Sequence, residues 1–138
     1  MSRLGKMPHW QRWFVITGMM ACSITGSMYL LGHEFQIERS WLGTHNILVA
    51  HGIAAMLATL ALGSVLPFHL KAGLKSRKKW ISGISQLCFL LILLISGALL
   101  YYGPEEMRDS AITLHWIIGL LFFAIFSLHL INVRDQPA

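Results

Sequence analysis

The chain has 138 residues, 55% of them hydrophobic and only 12% charged, which is too short and too apolar for a soluble multi-domain enzyme. Its formal charge of +5 does not form the basic stripe of a nucleic-acid module, because the lysines and arginines gather at alternate ends of apolar segments, as in a membrane protein. Cys22 and Cys88, far apart and each within apolar sequence, exclude a disulfide framework.

Four uncharged windows separate the charged residues: 13–33, 40–70, 80–104 and 110–133. Each is long enough to cross a bilayer, which takes about 20 mostly apolar residues. The expectation is an all-α, four-helix transmembrane bundle forming one membrane domain over residues 1–138. The first span runs from about 10 to 31, with Trp10 and Trp13 at headgroup depth and Gly32 closing it. Its unbroken apolar run favours a retained helix over a cleaved signal peptide. Thr17, Gly18, Ser23, Thr25 and Gly26 within it read as helix-packing residues. The second span covers about 44–70, with Thr44 as N-cap and Pro67 bending its far end. The third covers 80–102, bounded by Trp80 and by Gly103-Pro104, with Gln86 as an interhelical hydrogen-bonding group. The fourth covers 111–133.

Nine basic residues lie on one side of these spans: Arg3, Lys6 and Arg12 in the N-terminal arm, five in the loop at 71–79, and Arg134 in the tail. Arg39 and Arg108 lie on the other. This asymmetry predicts that both termini and the middle loop are cytoplasmic. Five of the six acids, Glu34, Glu38, Glu105, Glu106 and Asp109, fall on the outer side. A faint internal repeat accompanies the pattern: Thr25-Gly26 with Gly32 and Glu34 recurs 71 residues later as Ser96-Gly97 with Gly103 and Glu105. Two hairpins of like orientation would be related by an axis along the membrane normal.

Four histidines carry the functional signal. His51 and His69 share one stripe of the second span, and His115 and His129 stand about 40° apart on the fourth, at 100° per residue. Ionisable groups at membrane depth are costly and by default mark a site facing the bundle interior. Both helices run from outside to inside, so His51 pairs with His115 and His69 with His129. Facing imidazoles at one level suit the two axial positions of a haem iron, an arrangement for electron transfer. With no Cys-x-x-Cys-His motif, the haem would be of non-covalent b type. Ala55, Ala58, Leu62 and Val65 lie on the stripe of the second helix, with Gly119, Phe122 and Phe126 on the fourth. Gly52, Ala55 and Gly119 would admit a flat macrocycle. Two haems are expected. The histidine intervals, about 27 Å and about 21 Å at 1.5 Å per residue, leave one haem at the outer pair as the alternative. His9, His33 and His45 fall off the stripes. Arg39, Arg108, Lys71 and Lys75 sit at the bundle ends, where they could meet propionates or lipid headgroups.

The segments His51-Gly52-Ile53-Ala54-Ala55-Met56, Leu66-Pro67-Phe68-His69, the basic loop with Ser82-Gly83, Leu114-His115-Trp116-Ile117-Ile118-Gly119 and Leu128-His129 resemble small bacterial four-helix b-type cytochromes. The type is the flavinylation-associated cytochrome, within the broader group of hydrogenase and formate dehydrogenase cytochrome b subunits. The resemblance covers the chain from about Val49 onward. It implies haem b held by histidines of the second and fourth helices, and His51, His69, His115 and His129 match those positions. The interval on the second helix is wider than in large respiratory cytochrome b subunits.

The expected function is that of a respiratory-chain subunit relaying electrons through one or two bis-histidine haems, rather than a stand-alone enzyme. The lipid membrane, the quinone pool and a periplasmic redox protein or flavin-bearing domain are the expected partners, and nucleic acid is not. The alternatives are a transporter whose histidines relay protons or bind metal, and a haem-free membrane subunit. The apolar stripe between His51 and His69 argues against a water-filled path.

Overall fold

A computed structural model of the chain describes residues 8–76 and 80–134, the side chains of 68–83 and 132–134 excepted. Four α-helices account for nearly all of them: α1 (His9–His33), α2 (His45–Ser76), α3 (Trp80–Tyr102) and α4 (Arg108–Arg134). A single 3₁₀ turn, Glu105–Met107, precedes α4, and there is no strand among the described residues. Every helix contains a stretch long and apolar enough to cross a membrane. Their lengths of 25, 32, 23 and 27 residues correspond to about 38, 48, 35 and 41 Å. Large apolar side chains such as Ile53, Leu60, Leu91, Ile95 and Leu128 are exposed, as befits helices of membrane-spanning length and composition. The chain is therefore a multi-pass membrane protein by length and composition.

The helices form two compact units, one of α1 and α2 (Met1–Lys78) and one of α3 and α4 (Lys79–Ala138). In the first, Ala54, Ala58, Ala61 and Val65 make a buried seam on α2 at helical spacing. The seam meets α1 at Gly18, where an added Cβ would stand 3.3 Å from the Ala58 Cα. Small residues here let two backbones approach, the usual source of helix association in lipid. Near the N-terminal end of α1, the Gln11 amide donates to the Ser64 carbonyl at 2.9 Å and to its hydroxyl at 3.2 Å.

In the second unit Ala111, Phe122 and Phe126 are buried on one face of α4, the two rings stacked with centroids 5.7 Å apart. Gly119 faces α3, its missing Cβ 3.8 Å from a Leu93 methyl. Ser96 of α3 is the most deeply buried polar side chain described, at 1% exposure.

Several boundaries differ from the sequence expectation for identifiable reasons. Gly32 does not close α1, which continues to His33 and is capped by backbone bonds from Glu34 and Phe35 to the Leu30 carbonyl. The reversal that follows uses Gln36 and Glu38 in the left-handed region, at φ 56° and 46°. Thr44 does not cap α2 with its hydroxyl, which donates back to the Trp41 carbonyl at 3.1 Å. α2 passes through Pro67 and ends at Ser76. α4 begins at Arg108 rather than 111, because Glu105, Glu106 and Asp109 at its entrance favour the positive end of a helix dipole. The expected stop of α3 at Gly103-Pro104 holds, with the Gly103 N–H donating to the Leu99 carbonyl at 2.8 Å.

Candidate functional site

His51 lies one turn before Ala54 on the α2 seam, so its imidazole is directed at α1 within its own hairpin. The ring rests over Gly26, where an added Cβ would come within 2.8 Å of Cε1 and 3.1 Å of Nδ1. At that position only glycine leaves room for the ring. Nδ1 stands 3.0 Å from the Cys22 carbonyl oxygen, 3.4 Å from Thr25 Oγ1 and 3.8 Å from Cys22 Sγ. A carbonyl only accepts, so Nδ1 must carry the hydrogen and donate it. The Thr25 hydroxyl hydrogen is already committed to the Ala21 carbonyl at 2.7 Å, which leaves Oγ1 as a second acceptor beside the ring. Assigned in this way, the neutral imidazole is the Nδ1–H tautomer, with its lone pair on Nε2.

His115 repeats the arrangement in the second hairpin with different atoms. Its Nδ1 lies 2.8 Å from Ser96 Oγ. The Ser96 hydroxyl also lies 3.2 Å from the Leu93 carbonyl: with its one hydrogen directed there, its oxygen accepts from Nδ1–H, and with that hydrogen directed at the ring it donates to Nδ1. Gly97 sits beside the ring, its missing Cβ 3.5 Å from Cε1, an ordinary contact distance. Both seats therefore consist of a hydroxyl residue followed by glycine on the first helix of a hairpin, against a histidine on the second.

The structure thus corrects the reading of Thr25 and Gly26 as packing residues alone, and it adds Cys22 and Ser96 to the histidine surroundings. The signal was present in the sequence as the 71-residue repeat, whose paired dipeptides Thr25-Gly26 and Ser96-Gly97 are the two that touch an imidazole.

The other expected positions fare unequally. His129 lies half-buried on the α4 stripe that carries Phe122 and Phe126. His69 lies within α2, but its side chain is outside the described residues, as are those of Lys71 and Lys75. His45 is exposed, and His33 stacks on Tyr29 at 5.1 Å while approaching Glu34 at 3.1 Å. Arg39 donates to Gln36 at 3.1 Å, and Arg108 lies 3.9 Å from Glu105 in an exposed pair of little energetic consequence. The Gln86 amide nitrogen, expected to bond between helices, is buried with no hydrogen-bond partner among the described residues.

Chemically, the His51 seat presents an imidazole whose Nδ1–H is anchored to a fixed acceptor. Metal-ligating histidines are commonly held this way, since the acceptor orients the ring and makes the other nitrogen a stronger donor. No group of three or more His, Cys, Asp or Glu side chains converges among the described residues. No family model, no curated protein and no solved structure matches this chain.

Proposed function

We propose that this protein is a membrane b-type cytochrome that relays electrons through bis-histidine haem, to or from an external redox partner. The observation that carries the reading is the recurrence of one histidine seat in both hairpins: His51 with Nδ1 at the Cys22 carbonyl and Thr25, and His115 with Nδ1 at Ser96, each beside a glycine of the preceding helix. In this reading His51 and His115 would hold the haem through Nε2. The inner pair, His69 and His129, follows from the matched order of histidines along α2 and α4 and would hold a second haem.

Bound haem supplies a one-electron carrier. The chain would supply the imidazoles of His51 and His115 to hold it, a ligand pair that suits electron transfer rather than oxygen chemistry. The basic residues at 71–79 and in the N-terminal arm support a topology with both termini cytoplasmic. The acidic outer segments then face a periplasmic redox protein or flavin-bearing domain, with the quinone pool as the partner within the membrane.

The test is a pyridine haemochrome assay on protein purified in mild detergent. One or two b haems per chain, lost at the outer site in His51→Ala and in His115→Ala, support the reading. A colourless protein, or haem retained at full stoichiometry in both variants, overturns it. Stoichiometric zinc in a colourless preparation would favour a histidine-based transporter instead.

A further inference from the structure

The two seats are alike in design but not in composition, and the difference has a measurable consequence. At His51 the principal acceptor is a backbone carbonyl, Cys22 O at 3.0 Å, with the Thr25 hydroxyl further off at 3.4 Å. At His115 the partner of Nδ1 is a side chain, Ser96 Oγ at 2.8 Å, a short bond made by the most buried hydroxyl described. A backbone carbonyl cannot be deleted by substitution, whereas a serine hydroxyl can.

We propose that Ser96 is the positioning residue for the His115 imidazole, that it holds the ring as the Nδ1–H tautomer and tunes the iron through it, and that Thr25 adds little at His51, whose ring the Cys22 carbonyl holds. This rests on the cytochrome reading above. The physical basis is general. An acceptor on Nδ1–H draws the proton away from the ring, raises electron density at Nε2, and so favours ferric over ferrous iron. Loss of the acceptor should therefore raise the midpoint potential and weaken haem binding. Outer-shell changes of this kind cost about 10- to 100-fold in metal affinity. Ser96→Ala removes a bond well within hydrogen-bonding distance and belongs in that range. Thr25→Val removes a contact at the limit of hydrogen bonding and leaves the Cys22 carbonyl in place, so its effect should stay within about threefold.

The experiment is a spectropotentiometric titration of the full-length protein, wild type beside Ser96→Ala, Thr25→Val and Thr25→Ser. Haem binding to the haem-free protein is titrated in parallel, and the histidine ¹⁵N shifts of that haem-free form are recorded. The expected result is a rise in potential and a 10- to 100-fold loss of affinity in Ser96→Ala, near wild-type values in both Thr25 variants, and a protonated Nδ1 on His115 that loses its preference when Ser96 is alanine. Wild-type potential and affinity in Ser96→Ala, with haem bound, would overturn this assignment while leaving the cytochrome reading intact. An Nε2–H tautomer at His115 in the haem-free wild type would overturn it independently of haem. A wild-type protein that takes up no haem overturns the cytochrome reading, and this assignment with it.

Discussion

Replacing Gly26 by alanine places a methyl group against the His51 imidazole. The new Cβ would stand 2.8 Å from Cε1, while carbon atoms in favourable contact lie about 3.5 Å apart, so the ring must retreat by about 0.7 Å. Retreat from α1 lengthens the bond between Nδ1 and the Cys22 carbonyl from 3.0 Å to about 3.7 Å, beyond hydrogen-bonding reach. The variant therefore loses a hydrogen bond and gains crowding, together about 1–3 kcal/mol. If His51 is an axial ligand, the displaced ring should weaken haem binding by about 10- to 100-fold. Titration of the haem-free protein with haemin, followed by the Soret band, reads this directly, with far-UV circular dichroism confirming that helix content is preserved. Gly97→Ala is the internal control: its Cβ would lie 3.5 Å from the His115 Cε1, an ordinary contact, and binding should stay near wild type. Equal effects of the two substitutions, or none from Gly26→Ala, would refute the seating of the His51 ring on the α1 backbone.

Gly18→Leu should separate α1 from α2, since even a Cβ there lies 3.3 Å from the Ala58 Cα, and cost several times the roughly 1 kcal/mol of a mild overpacking; proteolytic susceptibility of the first hairpin in detergent is the readout. Phe126→Ala leaves a cavity beside Phe122 and should cost about 3–5 kcal/mol if the face packs as tightly as a soluble core, measured by denaturant titration of the detergent-solubilised protein. Gln86→Leu replaces a buried amide nitrogen with no partner among the described residues and should raise the thermal midpoint, by an amount matching about 1–3 kcal/mol; a lower midpoint would mean that the amide is bonded in the folded protein.

Most of the helical framework was legible because hydrocarbon imposes a length and an apolar composition that few other environments demand. Trp80 and Tyr102 bound α3 where the aromatic-belt argument placed them. The faces were legible too, since helical spacing alone puts His115, Gly119, Phe122 and Phe126 on one stripe of α4. What periodicity could not supply is the register of one helix against the next. That register decides that Cys22 and Thr25, rather than other polar residues of α1, meet His51 at a separation of 29 and 26 residues, and that Ser96 meets His115 across 19. It depends on the turns between helices, where Gln36 and Glu38 adopt left-handed backbone that their residue types do not announce. The start of α4 was missed for a related reason: counting uncharged residues discards Arg108 and Asp109, although a carboxylate in a first turn stabilises a helix.

Gly32 and Gly43 meet backbone to backbone at the mouth of the first hairpin, with no room for a side chain on Gly32. The clasp is made by main-chain atoms, so the exposed residues between these two glycines contribute little to closing it. The exposed side chains of Phe35, Ile37 and Trp41 can therefore change while the two glycines and the left-handed backbone of Gln36 and Glu38 stay fixed. An epitope placed there by substitution should leave helix pairing undisturbed, giving a handle on this end of the first hairpin.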